Sequence, residues 1–227
     1  MASPETILLR GAGVSRRFEG AGAGGVAVED ASFEIDAHSR IALVGPSGSG
    51  KSTLLHLMAG LLDPSAGSVS WPALDEAGDG RPGAIAVVFQ APSLVPWLDA
   101  VENVMVPLLL QELAEKVARR QAEAALAALG LAEIGDKLPE ELSGGEAQRV
   151  TVARAMAQKA KLMLADEPTG QLDQATAREV MSALVHAADR NHAALIVATH
   201  DPAVAAVLSV VWCMDHGRLA VEKRAVV

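Results

Sequence analysis

The chain has 227 residues, half of them apolar, and carries a formal net charge of −9 at neutral pH. This length is long for one compact domain and short for two, and the apolar fraction excludes a disordered chain. The acidic balance argues against a surface dedicated to nucleic acid, so no nucleic-acid partner is expected. Residues 1–5 lack the basic start of a secretory signal, and the apolar stretch 203–214 is too short to cross a bilayer. We therefore expect a protein that is soluble or that is bound to a membrane only through a partner.

The first part of the chain, residues 5–90, is rich in short apolar runs that are typical of strands. Between the first two runs, residues 15–25 are rich in Gly and Arg, which predicts a loop. The apolar runs lie at residues 6–9, 26–28, 33–35, 41–44 and 85–89.

The middle of the chain, residues 91–159, changes to a helical pattern after a start punctuated by prolines. Residues 112–129 place apolar side chains among charged ones at helical spacing, and Gly130 ends the pattern. This predicts an amphipathic helix. A second helix is predicted at residues 147–158.

The last part, residues 161–227, returns to alternating strands and helices. The apolar runs at 162–165 and 195–198 are continuous, as expected for strands buried on both faces, and a helix is predicted between them at 174–190. Such alternation predicts an α/β fold with a mostly parallel sheet, into which the helical middle is inserted. The single cysteine, Cys213, lies in an apolar run, which predicts a buried thiol in a reducing compartment.

The pattern G-x-x-x-x-G-K-[ST] occurs at residues 45–52, between the predicted strand 41–44 and a predicted helix. Its glycines let backbone N–H groups turn around an anion, and the helix N-terminus adds partial positive charge. Lys51 would reach the β- and γ-phosphates, and the Ser52 hydroxyl would ligate Mg²⁺. The alternative, a Gly-rich turn without a phosphate, is disfavoured by the strand–loop–helix context. The predicted nucleotide-binding residues are Gly45, Pro46, Ser47, Gly48, Ser49, Gly50, Lys51, Ser52 and Thr53.

Two carboxylates, Asp166 and Glu167, follow the predicted strand 162–165 directly. In a protein with a phosphate loop such a strand ends beside that loop, so Asp166 is predicted to hold Mg²⁺ and Glu167 to polarise the attacking water. The alternative is an acidic helix N-terminus, where Asp and Glu are favoured. The phosphate loop favours the catalytic interpretation.

Residues 142–149 read LSGGEAQR. Ser143 is a good N-cap, but two consecutive glycines, Gly144 and Gly145, destabilise a helix start. A second anion-binding helix terminus would explain them. Because one nucleotide does not need two phosphate cradles from one chain, this second cradle is predicted to serve a partner subunit.

These motifs, in this order, resemble the nucleotide-binding subunit of ATP-binding cassette (ABC) transporters over nearly the whole chain. The resemblance implies a P-loop NTPase core with a mostly parallel sheet, an N-terminal antiparallel β subdomain and an inserted α-helical subdomain. One ABC ATPase domain would comprise residues 1–90 and 160–227 as the catalytic core and 91–159 as the helical part. The matching segments are residues 45–53 (Walker A), Gln90 (Q-loop), 142–148 (signature), 162–167 (Walker B), 170–173 (D-loop) and His200 (switch histidine).

The resemblance also implies a head-to-tail homodimer that binds two ATP molecules between its subunits. Ser143 and Gly145, with Gly144 between them, would then contact the γ-phosphate in trans. Asp173 would help to join the two halves. An integral membrane permease would be the other partner, facing the loop 91–102, which places the chain peripherally on the cytoplasmic face of the cell membrane.

The remaining roles implied by the family concern residues that follow strands. Gln90 would sense Mg²⁺ and the attacking water, and His200 would contact the γ-phosphate; taken alone, His200 would be a surface residue. Phe18 lies where the family usually has an aromatic, often Tyr, that stacks on adenine, although a core anchor is the alternative. Trp97 is a candidate contact for a helix of a partner or, equally, a core residue.

The subgroup is indicated by residues 166–173, DEPTGQLD, which are similar to the DEPTGNLD form of lipoprotein-release, macrolide-efflux-like and cell-division ATPases. Two features differ: the segment between Walker A and Gln90 is short, and residues 92–97 resemble the loop of nitrate, sulfonate and taurine importers. The predicted function is the ATPase subunit of an ABC transporter of export or lipoprotein-efflux type, acting through ATP-driven dimer closure. The alternatives are an importer ATPase, a non-transport cell-division-type regulator and a soluble ABC ATPase that acts on DNA or ribosomes.

Overall fold

A computed structural model describes residues 7–18, 25–75 and 83–223 of the chain. It divides into two compact units, the first comprising Met1–Gly80, Leu164–Asp166 and Ala194–Val227 and the second Arg81–Met163 and Glu167–Ala193. The boundaries of the core and helical parts given above stay a prediction.

The elements follow one another along the chain as strands, helices and two short 3-10 turns. In chain order they are β1 (Ile7–Arg17), β2 (Val26–Asp36), β3 (Arg40–Val44), α1 (Lys51–Met58), β4 (Ala66–Ser70), α2 (Pro72–Asp75), β5 (Ile85–Val88), α3 (Ala100–Leu110), α4 (Glu115–Ala127), 3-10 turns at Ala132–Ile134 and Pro139–Glu141, α5 (Gly144–Ala157), β6 (Leu162–Asp166), α6 (Gln174–Asn191), β7 (Ala194–Thr199), α7 (Pro202–Ala206), β8 (Val210–Asp215) and β9 (Arg218–Lys223).

An antiparallel sheet of three strands, in the order β2-β1-β4, forms the N-terminal part of the first unit. The predicted loop at residues 15–25 is wrong at its start, because β1 continues to Arg17. There Arg16 pairs with Val28, and Arg17 pairs with Val26. Cross-strand hydrogen bonds stabilise this extension, and Gly and Arg content does not indicate them. Residues 19–24 of that predicted loop lie outside the described residues.

A second sheet of the first unit has the order β6-β7-β3-β8-β9, with Leu164–Asp166 contributed by β6. Strand β3 runs parallel to both β7 and β8, whereas β9 is antiparallel to β8. Every residue of β6 and β7 is buried, which confirms the prediction of strands covered on both faces. Cys213 is only half-buried, contrary to the prediction, because along β8 it faces the opposite side from its buried neighbours Trp212 and Met214.

The second unit combines β5, the start of β6 and helices α3 to α6. The amides of Lys161 and Leu162 both donate to the carbonyl of Ala84, so β5 and β6 start side by side. Helices α4 and α6 confirm the predicted helices 112–129 and 174–190 to within three residues at each end. Helix α5 starts three residues before its predicted start, because Ser143 caps it at Gly144.

Candidate functional site

The phosphate loop of the first unit joins β3 to α1. Gly50 is the N-cap of α1, and no side chain caps that helix or places an acid in its first turn. The backbone of Gly50 has φ of 103°, and a Cβ there would overlap the carbonyl oxygen of Ala27. Only glycine fits this position. The N-terminal amides of α1 are therefore not occupied by a side-chain cap and are available to an anion.

Lys51 is the first residue of α1 and is almost fully buried, at 8% exposure. Its Nζ donates to the carbonyl oxygens of Gly45 at 2.8 Å and Pro46 at 3.0 Å. The ammonium group therefore lies across the mouth of the loop. The buried hydroxyl of Ser49 has no hydrogen-bond partner among the described residues, so the loop also holds a polar group that a ligand can satisfy.

The residues that end β6 and β7 lie in the same unit as the loop. Strand β7 pairs in parallel with β3 so that Thr199 is opposite Val44, and both strands end at the same edge. His200 follows Thr199 and is exposed. Asp166 ends β6, the strand next to β7, and is only 5% exposed. The structure thus places Asp166 and His200 at the sheet edge from which the phosphate loop leaves.

Glu167 follows Asp166 and belongs to the second unit. It is half-buried and has φ of 47°, a left-handed conformation that is costly for a residue with a Cβ. Such a conformation costs about 1–3 kcal/mol and occurs preferentially at functional sites. Gln90 follows the neighbouring strand β5 in the same unit and is exposed.

The signature segment forms the start of α5 through a capping box. The hydroxyl and amide of Ser143 both donate to the Glu146 carboxylate, at 2.7 and 2.8 Å, and the amide of Glu146 donates back to the hydroxyl at 3.3 Å. These bonds from Ser143 hold the pKa of Glu146 below its ordinary value. Ser143 is exposed at this helix terminus.

The two signature glycines have a packing role within the chain that sequence reasoning missed. A Cβ on Gly144 would lie 2.8 Å from Gln171 Oε1, and one on Gly145 would lie 3.2 Å from Leu172 Cδ2. The segment that follows Glu167 therefore approaches α5 closely. Both glycines and both of their neighbours belong to the second unit, so the structure brings the signature and D-loop segments together.

Asp173 caps the N-terminus of α6. Its carboxylate accepts hydrogen bonds from the Thr176 hydroxyl at 2.6 Å and from the amides of Ala175 and Thr176 at 2.9 and 3.1 Å. The Thr176 side chain, followed by these amides, lowers the pKa of Asp173. The exposed carboxylate thus has a local structural role, beside which its predicted part in joining two subunits stays a prediction.

Phe18 directly follows β1 and is 43% exposed. The guanidinium carbon of Arg16 lies 4.9 Å from the centroid of its ring. The amide of Phe18 donates to the carbonyl of Gly25 at 3.3 Å, which continues the pairing of β1 with β2. The ring is therefore displayed at the surface of the first unit, and the core-anchor alternative is wrong.

Trp97 was predicted to be either a partner contact or a core residue. It is 77% exposed, so the prediction of a core residue is wrong. The turn that displays it is held by Asn103, a fully buried residue of α3. The Asn103 amide donates to the carbonyls of Val95, Leu98 and Asp99 at 3.2, 2.8 and 3.0 Å, and its oxygen accepts from the Val95 amide at 2.7 Å. Sequence reasoning missed Asn103, although an Asn followed by a run of apolar residues in a helix is a signal for such a role.

No helix among the residues that the structure describes is long and apolar enough to cross a membrane.

The sequence profile of the ABC transporter family matches residues 28–170. Two solved structures of the ATP-binding cassette MJ0796 are similar in fold. One is a dimer in a post-hydrolysis state bound to ADP and Pi, with TM-score 0.89 and 30% identity. The other is a dimer described as a bacterial ABC transporter cassette, with TM-score 0.88 and 31% identity. In both cases 96% of this chain and 100% of the other chain are covered.

Several relatives carry the name lipoprotein-releasing system ATP-binding protein LolD. The LolD of Chromohalobacter salexigens is 40% identical over 222 residues, which cover 94% of this chain and 93% of that protein. The LolD of Gluconobacter oxydans is 41% identical over 221 residues, with coverage of 93% and 94%. The LolD of Hydrogenovibrio crunogenus is 45% identical over 181 residues, with coverage of 77% and 79%. Family profile, fold and sequence agree that the chain belongs to the ABC transporter family, as an ATP-binding cassette ATPase.

Proposed function

We propose that this chain is the ATP-hydrolysing subunit of a lipoprotein-releasing ABC transporter, which drives a separate permease from the cytoplasmic face of the membrane. The observation that supports ATP hydrolysis is the phosphate loop, where the N-terminal amides of α1 have no side-chain cap. The proposed role in lipoprotein release is supported by relatives named for that system, which align over more than nine-tenths of the chain.

The residues of the loop, 45–53, would bind the triphosphate of ATP. Lys51 would donate to the β- and γ-phosphate oxygens. Two of its three ammonium protons are donated to loop carbonyls, so one is available at once and a second would become available when one of those bonds is released. The unpartnered hydroxyl of Ser49 fits a polar ligand in the same loop. Phe18 would stack its open face on the adenine.

The oxygen donors proposed to lie beside the phosphate loop are of the kind that Mg²⁺ prefers. Ser52 follows Lys51 on α1, and Asp166 offers a buried carboxylate at the end of β6. Gln90 would contribute its amide oxygen. Bound there, the ion would neutralise charge that develops on the phosphate oxygens.

Glu167 would polarise the water that attacks the γ-phosphate, and His200 would donate to the γ-phosphate oxygens. The left-handed backbone of Glu167 supports this role, because it sets the direction of the side chain at the cost of strain.

In the dimer, Ser143, Gly144 and Gly145 would contact the γ-phosphate bound to the partner subunit, and Asp173 would lie near the joint between the halves. The Ser143 hydroxyl donates to Glu146 in the isolated chain. It would therefore turn away from Glu146 when it donates to a phosphate. Dimer closure is thus coupled to the loss of one local hydrogen bond.

The permease would dock on the turn that carries Trp97. An exposed aromatic on a turn fixed by Asn103 is a rigid anchor, and such residues dominate interfaces. The importer and cell-division alternatives share every catalytic feature, so the identity of the permease separates them.

The test is a pull-down of a tagged Glu167→Gln chain from detergent-solubilised native membranes with ATP, followed by reconstitution of the captured complex in liposomes. We expect the Glu167→Gln chain to capture a permease with a large extracytoplasmic domain. The same complex, prepared with the wild-type chain and reconstituted in liposomes, should release a membrane-inserted lipoprotein when ATP is added. A Lys51→Ala chain serves as the matched control for nucleotide-independent capture. An importer-type permease with a binding protein, or no membrane protein, overturns the proposal.

A further inference from the structure

The ring of Phe18 is covered on one side by a guanidinium that is itself held in place. Arg16 Nη1 donates to the carbonyl of Asp63 at 2.9 Å, while its carbon lies 4.9 Å from the ring centroid. Arg16 Nε is buried and makes no hydrogen bond within the described residues. An arginine that only needed solvation would turn this nitrogen towards water. Its position against the ring is therefore a specific one.

The backbone of Phe18 also lies near the phosphate loop, as the pairing of the chain before and along β2 shows. Gly50 of the loop packs against the carbonyl of Ala27 on β2. Two residues earlier along the chain, directly before β2, Gly25 accepts the hydrogen bond from the Phe18 amide. Two strand residues span about 7 Å. The backbone of Phe18 is thus within reach of the base of a nucleotide whose phosphates lie in the loop.

We propose that Arg16 is a positioning residue for nucleotide binding: it clamps Phe18 from behind so that the opposite face of the ring forms a preset platform for adenine. This inference rests on the proposed stacking role of Phe18. Phenylalanine has no hydroxyl with which to anchor its ring by a hydrogen bond. The cation over its face supplies the anchor instead, fixed in turn by the Asp63 carbonyl.

Two consequences separate this role from a direct contact with phosphate. A clamp behind the ring contributes only when a base is stacked, so it affects ATP and not inorganic tripolyphosphate. A cation that attracts phosphates affects both ligands. Arg17, the next residue, is exposed and provides a control with the same change in net charge.

The experiment measures the dissociation constants of Mg²⁺-ATP and Mg²⁺-tripolyphosphate by calorimetry on the full chain. The variants are Arg16→Met, Arg16→Gln, Arg17→Met and Phe18→Ala, each checked for an unchanged thermal midpoint. Arg16→Met should weaken ATP binding about three- to tenfold and leave tripolyphosphate binding within about twofold. Arg17→Met should leave both unchanged. If Arg16→Met does not fold, Arg16→Gln, which keeps a donor for Asp63, provides the same comparison.

The outcomes distinguish this inference from the role of Phe18. Weaker ATP binding in Phe18→Ala with unchanged binding in both Arg16 variants keeps the platform and overturns the clamp. Unchanged ATP binding in Phe18→Ala overturns the platform and the clamp together. Equal weakening of ATP and tripolyphosphate in the Arg16 variants overturns the clamp in favour of a direct phosphate contact.

Discussion

Arg154 donates from both terminal nitrogens to Ser93, with Nη1 on the carbonyl oxygen and Nη2 on the hydroxyl, each at 2.8 Å. Arg154 lies on α5, the helix that begins at the signature segment, and Ser93 follows Gln90 by three residues. The pair therefore joins the signature helix to the loop after Gln90 within the second unit. Burial lowers the pKa of Arg154. The two hydrogen bonds therefore offset part of the cost of holding the guanidinium charge away from water.

Replacing this arginine should destabilise the second unit. Arg154→Met removes both hydrogen bonds, leaves the Ser93 carbonyl without its donor, and should cost about 1–3 kcal/mol of unfolding free energy. Ser93→Ala removes only the hydroxyl bond and should cost less, about 0.5–1 kcal/mol. Urea unfolding followed by circular dichroism measures both. A smaller loss for Arg154→Met than for Ser93→Ala would contradict the geometry.

Glu167→Gln should abolish turnover and preserve nucleotide binding. Glutamine has the shape of glutamate and adopts the same left-handed backbone, but it cannot accept a proton from water, so a loss of at least about 100-fold in phosphate release is expected. With ATP the variant should form a stable dimer, observable by size-exclusion chromatography with light scattering. A variant that remains monomeric with ATP would count against the two-subunit arrangement.

Gly144→Ala should separate stability from activity. Alanine is favoured over glycine within a helix by about 1 kcal/mol, and its Cβ meets only the movable end of Gln171. Thermal stability should therefore stay the same or rise, whereas the new methyl group at the signature terminus should impair ATP-driven dimerisation. The double variant Gly144→Ala/Gln171→Ala relieves the contact within the chain. If it restores dimerisation, the methyl group acts through Gln171 and not on the nucleotide.

Two carboxylates at helix N-termini predict a sensitivity to acid. Asp173 and Glu146 have ordinary pKa values of 3.8 and 4.5, and hydrogen bonds lower both in the folded chain. Their stabilising contribution is therefore complete above these ordinary values and is lost as the pH falls below them through the folded values. In Asp173→Asn the loss of stability below about pH 4 should be shallower than in the wild type, measured as thermal midpoint against pH. Parallel curves would show that this cap does not contribute to acid sensitivity.

The parts of the fold that the sequence predicted are those with a local signal. Strand β7 and helix α6 were predicted from a continuous apolar run and a helical period, and each lies within two residues of its predicted bounds. The phosphate loop was recognisable because its glycines and lysine must follow one another in a set order.

The parts that sequence reasoning missed depend on partners distant along the chain. The end of β1 is a strand because of its pairing with β2, and the packing of Gly144 requires Gln171, 27 positions later. Asn103 and Arg154 are polar residues in two different helices, and only the tertiary structure shows that their hydrogen bonds hold the same loop. Side-chain chemistry identifies candidates for such roles, but most of the partners are backbone groups, which every residue carries.

The exposed turn at Trp97 gives this chain a built-in optical reporter. Its other two tryptophans, Trp71 and Trp212, are 8% and 3% exposed, against 77% for Trp97. The red edge of the fluorescence emission, and quenching by dissolved iodide, therefore come mainly from Trp97. Engagement of this turn by another protein would shift the emission to the blue and shield it from iodide, so that docking can be followed in solution without an added dye.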